Sequence, residues 1–94
     1  MEQLSWFFLV SQKDCRIKST HILLYLAVFE CWNQNQFQSP VFISRRKIMH
    51  MSKIHSIVTY HKYMSELHEY GYIVYESSYH PRRGTKVWVN PINK

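Results

Sequence analysis

The stretch "SIVTYHKYMSELHEYGYIVYE", residues 56–76, decides the fold. Ser56 is a good N-cap, because a serine hydroxyl accepts hydrogen bonds from the free amides of a first helical turn. Tyr60, Met64 and Leu67 follow at helical spacing and therefore share one helix face. Gly71 stands where the C-terminus of a helix favours a left-handed residue. The pattern predicts a helix with one apolar face, followed directly by a strand.

A second helix is predicted upstream by "STHILLYLAVFECWNQN", residues 19–35. Ser19 or Thr20 can cap it, and the polar residues 33–38 followed by Pro40 end it. Apolar side chains cover most of its circumference, which is typical of a helix that is buried centrally or shared with another chain. These side chains are Ile22, Leu23, Leu26, Ala27, Phe29 and Trp32.

Between these two helices the sequence predicts a short strand and a short helix. Val41, Phe42 and Ile43 form a β-type segment. Ser44 is positioned to cap the helix "SRRKIMHMS", with Ile48 as one of its apolar contacts. Residues 44–70 thus have the pattern of a helix-turn-helix.

Two β-rich runs, "YIVYE" and "KVWVN", follow the long helix and predict a hairpin over residues 72–90. Residues 77–85 join the two runs, and a connection of that length is expected to project. Pro81 and Gly84 predict a tight turn at its tip.

The first 18 residues are interpreted as an N-terminal extension with two open readings. The apolar run from Trp6 to Val10 fits either a strand or a short helix. Trp6, Phe7 and Phe8 either close the core over the next helix or form a dimer face with it.

The element order is typical of a winged helix-turn-helix. The predicted fold class is therefore α+β and mainly helical, with a three-helix core, a β-hairpin wing and a short third strand. The chain has 94 residues, which favours one domain over residues 1–94.

Composition favours a polyanionic partner. Twelve Lys and Arg residues against six Asp and Glu residues give a formal charge of +6, which suits nucleic acid or an acidic membrane surface. The longest apolar run, residues 22–29, is far too short to span a membrane, and no signal peptide is recognisable. We therefore expect a cytoplasmic protein that does not use a membrane. Its two cysteines, Cys15 and Cys31, are better explained as reduced thiols than as one disulfide.

Catalytic and metal-binding patterns are missing from the sequence. His61 and His68 are seven residues apart, too far to share an ion without further ligands, and no HxxxH motif occurs. Glycine-rich phosphate loops and nucleophile elbows are also not found, so we expect no enzyme, no metal and no cofactor.

The phrases "THILLYLAVFECWNQNQFQSPVFISRRKIM" and "SKIHSIVTYHKYMSELHEYGYIVYESSYHP" resemble small winged helix-turn-helix proteins carried by mobile elements of anaerobic gut bacteria. The resemblance covers about residues 16–90 and implies DNA binding and transcriptional regulation. The positions that carry the recognition-helix pattern are Ser56, Thr59, Tyr60, Met64, Leu67, Gly71 and Ile73.

Three segments supply the candidate DNA contacts. On the long helix, Ile57 and Val58 suit thymine methyls, while His61 and Lys62 suit purine acceptors or a phosphate. The basic triplet 45–47 opposes the dipole of the short helix and is better explained by a phosphate backbone. Arg82 and Arg83 in the wing suit phosphate or a minor groove. The full set is Arg45, Arg46, Lys47, Lys53, His55, Ser56, Ile57, Val58, Thr59, His61, Lys62, His80, Arg82, Arg83 and Lys86.

Simpler explanations exist for each segment. Val58 could be half-buried against the preceding helix, and the arginines could be solubilising charge. The function predicted from the sequence is a homodimeric transcriptional regulator that binds double-stranded DNA. The alternatives are an architectural factor for excision of a mobile element and a winged-helix protein-interaction module without DNA binding.

Overall fold

The computed structural model describes residues 2–76 and 84–89, over which the chain forms four helices and three strands. The α+β, mainly helical class predicted from the sequence is confirmed. The helices are α1 (Glu2–Lys13), α2 (Ser19–Gln34), α3 (Arg45–Ser52) and α4 (Ile57–Glu69). The strands are β1 (Val41–Ile43), β2 (Ile73–Glu76) and β3 (Thr85–Val89).

The three strands form one antiparallel sheet in the order β1-β3-β2. Val87 of β3 lies opposite Val41 of β1 and opposite Tyr75 of β2. Because side chains alternate along a strand, one sheet face carries Val41, Ile43, Val87, Val89 and Ile73, all of which are buried. That face closes one side of the core, and the helices close the rest.

Helix α4 has the start, face and stop that its sequence predicted. The Ser56 hydroxyl accepts a hydrogen bond from the Thr59 amide at 3.2 Å. Tyr60, Met64 and Leu67 are all buried, with at most 1% of their surface exposed. Gly71 has a φ of +89°, beyond the end of the helix.

Helix α3 also matches its prediction. The Ser44 hydroxyl accepts a hydrogen bond from the Lys47 amide at 3.3 Å, and Ile48 is fully buried. Lys53, at the C-cap, has a left-handed backbone with a φ of 63°, which turns the chain sharply towards α4.

Helix α2 differs from its prediction at its start. Its N-cap is Lys18, not Ser19 or Thr20, both of which lie inside the first turn. The Lys18 amide donates to Nδ1 of His21 at 2.9 Å. An imidazole thus takes the place that a glutamate holds in a capping box.

The buried face of α2 also differs from the predicted set. Leu24, Tyr25 and Val28 are fully buried and form the centre of the core, whereas Leu23 is 44% exposed. Central burial therefore holds for one face of α2 and not at Leu23, and the alternative of a helix shared with another chain stays a prediction. Counting apolar positions did not show which face the sheet and α4 would cover.

The N-terminal segment is a helix that belongs to the core. Phe7 is fully buried and stacks on Tyr25 with ring centroids 3.7 Å apart and planes at 5°. The Tyr72 ring meets Phe7 edge-on at 5.4 Å. Of the two readings left open, core closure is correct for Phe7, and the predicted three-helix core becomes a four-helix one. Phe8 and Leu9 remain exposed, at 41% and 61%.

The turn between α1 and α2 is tied to the sheet through Asp14. Its carboxylate accepts two hydrogen bonds from the Arg16 guanidinium, each of 2.9 Å, and one from the Tyr72 hydroxyl at 2.9 Å. These Arg16 hydrogen bonds hold the pKa of the Asp14 carboxyl well below its usual range. The Arg16 guanidinium also lies 4.2 Å from the centre of the Tyr70 ring.

Asp14→Asn is predicted to lower the free energy of unfolding at neutral pH. The variant should also lose less stability in acid than the wild type does. The folded-state pKa of Asp14 lies below the unfolded value, so its contribution is present above about pH 4 and lost as pH falls further. Chemical denaturation at about pH 7 and about pH 3 measures both effects. Glu69→Gln, which removes an exposed carboxylate on α4, is the control. Equal acid sensitivity of the wild type and Asp14→Asn would contradict the assignment.

Candidate nucleic-acid interface

The outward face of α4 is fully accessible over its first two turns. Val58 is 78% exposed and Ile57 is 49% exposed. His61, Lys62 and Ser65 are also exposed. The alternative in which Val58 is half-buried against the preceding helix is therefore wrong. Ile57 and Val58 are thus exposed to solvent at the start of a helix whose opposite face is buried in the core.

The basic triplet of α3 is also accessible. Arg45, Arg46 and Lys47 are all exposed. Burial raises the pKa of Tyr60 on α4 to about 12, whereas the charge of Arg45 acts on it in the opposite direction. The first turn of α3 and the first half of α4 thus both present exposed cations.

The segment that contains α3 and the first half of α4 has no acidic residue. Between Glu30, near the end of α2, and Glu66, late in α4, the sequence has no Asp or Glu. The charged side chains of Arg45, Arg46 and Lys62 within this segment are therefore all positive, a charge pattern that favours a polyanion.

Glu66 itself is engaged by His21, a contact that the sequence did not reveal. His21 Nε2 lies 2.8 Å from the Glu66 carboxylate, and the imidazole is 1% exposed. Because Nδ1 accepts the Lys18 amide, the ring proton is on Nε2 and is donated to Glu66. The His21 ring also meets the Tyr63 ring edge-on at 4.6 Å. The one sequence feature that could have indicated this contact is a histidine three residues after the N-cap of a helix.

Lys86 is less free than the wing hypothesis requires. It is partly buried, and in the sheet it lies opposite Glu76 on one side and Phe42 on the other. Its ammonium lies 5.9 Å from the centre of the Phe42 ring. The sheet register gives Lys86 neighbours that the linear sequence did not show.

The wing itself is described only at its base. His80, Arg82 and Arg83 lie outside the described residues, so their predicted contacts stay predictions. Thr85 begins β3 and is not part of the loop. Gly84 has a φ of +75°, and a side chain there would collide with the Ile43 carbonyl. It therefore belongs to the close approach of β3 and β1, whereas Pro81, its predicted partner in a turn at the loop tip, lies outside the described residues.

The remaining predicted site residues are accessible to different degrees. Thr59 is partly buried, and its amide is used by the Ser56 cap. Lys53 is exposed at the turn between α3 and α4. The exposed members of the predicted set are Arg45, Arg46, Lys47, Lys53, His55, Ser56, Ile57, Val58, His61 and Lys62.

The outer face of the sheet adds residues that sequence reasoning missed. Phe42 is 53% exposed and Val74 is 40% exposed. Trp88, opposite Val74 in the register, is partly buried. In a strand of three residues, the side chain of Phe42 points to the face opposite to that of Val41 and Ile43. The exposure of Phe42 could therefore have been predicted from the sequence.

The described part of the chain also bears on metal ligands, the cysteines and membrane spans. Within residues 2–76 and 84–89, no three His, Cys, Asp or Glu side chains are grouped to hold a metal ion. Cys15 is exposed, Cys31 is buried, and both are free thiols. Among the described helices, none is long and apolar enough to cross a membrane.

Comparisons with known proteins returned no matching family model, no matching curated protein and no matching solved structure.

The Tyr60 hydroxyl gives a test of the packing beneath this surface. It is buried and has no hydrogen-bond partner among the described residues, whereas the buried Tyr25 hydroxyl accepts from Gln3 at 2.9 Å. Tyr60→Phe should leave the free energy of unfolding unchanged or raise it by up to about 1 kcal/mol, and Tyr25→Phe should lower it by about 0.5–1.5 kcal/mol. Urea denaturation of the two variants and the wild type measures these changes in the free energy of unfolding. A destabilisation in Tyr60→Phe as large as that in Tyr25→Phe would mean that the Tyr60 hydroxyl is satisfied.

Proposed function

We propose that this chain is a winged helix-turn-helix protein that binds duplex DNA, with α4 as its recognition helix. The observation that carries the proposal is the accessible first half of α4, which follows the exposed basic start of α3 in a segment of sequence without acidic residues. The α3–α4 pair is joined by residues 53–56, a length typical of a helix-turn-helix. The hairpin of β2 and β3 follows α4 directly, as a wing does.

The chemistry of α4 suits base reading in a major groove. The groove admits one helix and presents the thymine methyl together with purine acceptors. Ile57 and Val58 offer apolar contact, and His61 and Lys62 offer donors from the same accessible face. The buried side of α4 fixes its rotation, so these side chains project from a rigid element.

The chemistry of α3 suits the phosphate backbone. Arg45 and Arg46 are long, exposed cations at a helix start, where they oppose the helix dipole at a cost of about 0.3–1 kcal/mol each. An external phosphate offsets that cost. In this proposal Arg82 and Arg83 add further backbone or minor-groove contacts from the wing. The protein acts as a transcriptional regulator, and an architectural role in excision of a mobile element would use the same contacts.

A binding experiment separates sequence reading from backbone contact. Duplex DNA is first selected from a random pool and then titrated alongside random duplex at two salt concentrations. Arg45→Ala with Arg46→Ala should weaken both duplexes about equally and flatten the slope of log K against log salt by about 0.9 for each phosphate that the variant no longer neutralises. His61→Ala or Lys62→Ala should narrow the preference for the selected duplex by about 1–3 kcal/mol where the truncated side chain reads a base.

Lys13→Ala is the matched control, because it removes one exposed cation from the end of α1. It should leave both affinities close to those of the wild type. Wild-type binding that ignores salt would contradict the DNA proposal. Retention of a protein partner through Ile57 and Val58, with no shift of any duplex, would favour the interaction-module alternative, which the exposure of these two residues supports.

We further propose that the protein acts as a dimer paired through the outer face of α1. Ser5, Phe8, Leu9 and Gln12 recur at helical spacing and are all exposed. This stripe carries no charge although the chain has a net charge of +6, so two copies can pair there without strong repulsion. Dimers double the half-sites on DNA and so multiply affinity.

Leu9→Glu is expected to shift the mass measured by light scattering from dimer to monomer. Two acidic side chains would then face each other in an apolar contact, and burying them unpaired is strongly unfavourable. Val58→Glu is the control, since it adds the same charge at an even more exposed apolar position. A wild type that is monomeric at high protein concentration would remove the dimer proposal and leave the DNA proposal standing.

A further inference from the structure

A cleft of about 400 Å³ lies between the end of α2, strand β1 and the start of α3. Cys31 and Gln34 contribute to it from α2, residues 40–44 from β1 and its flanks, and Lys47 from α3. That volume falls within the range of small-molecule sites.

The polar side of the cleft is centred on Lys47. Its ammonium donates a hydrogen bond to the Gln34 side-chain oxygen at 3.3 Å. The Gln34 amide nitrogen in turn donates to Glu30 at 3.3 Å, which fixes the side-chain oxygen of Gln34 towards Lys47. An ammonium has three N–H donors, so Lys47 retains donors for a further acceptor. Among the described residues that line the cleft, none is acidic.

The opposite side of the cleft is mainly apolar. Phe42 presents an aromatic ring that is 53% exposed, and Pro40 also lines the cleft. Among the described strands, β1 is an edge strand, since it pairs only with β3. Its second edge therefore leaves backbone donors and acceptors unpaired within the sheet, which can orient a polar group on a bound molecule.

We propose that this cleft binds a small organic monoanion that consists of a carboxylate on a flat apolar body. The carboxylate accepts a hydrogen bond from the Lys47 ammonium, which continues to donate a second hydrogen bond to the side-chain oxygen of Gln34. The apolar body lies on the Phe42 ring and Pro40. Lys47 is the one cation among the described residues that line the cleft, which favours a carboxylate over a doubly charged phosphate ester; the Lys86 ammonium, 5.9 Å from the centre of the Phe42 ring, adds to the attraction for the anion. The inference goes beyond DNA binding and does not require it.

Cys31 provides a reporter at the cleft, because this residue lines the wall and Cys15 is the other cysteine of the chain. The test uses the full chain with Cys15→Ser and a set of fragment disulfides that share a phenyl body and linker. The fragments end in a carboxylate, a primary amide or an ammonium. The Cys31 thiolate attacks the fragment disulfide, forms a mixed disulfide and releases the small leaving thiol. Mildly alkaline buffer is used, since burial raises the pKa of the Cys31 thiol.

Mass spectrometry at equilibrium should show that the carboxylate fragment is captured about threefold more than the amide fragment, with the ammonium fragment lowest, as one exposed ion pair would give. Lys47→Met keeps the apolar stem and should abolish this preference, while Lys47→Arg should retain it. Thermal melting confirms that both variants are folded.

Three results would overturn the proposal. The first is equal capture of carboxylate and amide, and the second is an unchanged preference in Lys47→Met. The third is no reaction at Cys31 while Cys15 reacts in a Cys31→Ser control, which would show that the cleft is closed to fragments. Each result is independent of the DNA titrations, so failure here leaves the proposed function untouched.

Discussion

The contact between His21 and Glu66 decides how α4 is presented. His21 is buried against α4 and uses both ring nitrogens, one for the Lys18 amide and the other for the Glu66 carboxylate. The start of α2 and the late part of α4 are thus held by one side chain. Together with the buried stripe of Tyr60, Met64 and Leu67, it fixes the rotation of α4. The exposure of Val58 and Lys62 follows from that rotation.

Most of the fold was readable from local signals. Ser44, Ser56 and Gly71 mark helix ends through their own side chains or backbone, so the linear sequence is sufficient to locate them. Long-range contacts were not readable. Phe7 stacks on Tyr25, and Asp14 binds Tyr72 across most of the chain. A short apolar run such as residues 6–10 fits either a helix or a strand until its partner surface is known.

In the candidate interface, too, some features were predictable from local sequence and others were not. The outward residues of α4 follow from the periodicity of its buried face, and the structure confirms their exposure. The neighbours of Lys86 depend on strand register, which the hairpin sequence did not specify. The cleft beside Phe42 depends on three elements that meet in space, so no single segment of sequence could indicate it.

The charge order along α4 has a consequence for its autonomy. Its first turn contains no acid, and Glu66 and Glu69 stand near its end, which is the reverse of the order that a helix dipole favours. The helix is therefore not strongly self-stabilising, and its order comes from the core around His21 and Leu67. An anion bound at the start of α4 would supply the negative charge that the helix dipole favours there. Contact with a polyanion and the rigidity of this helix are for that reason thermodynamically linked.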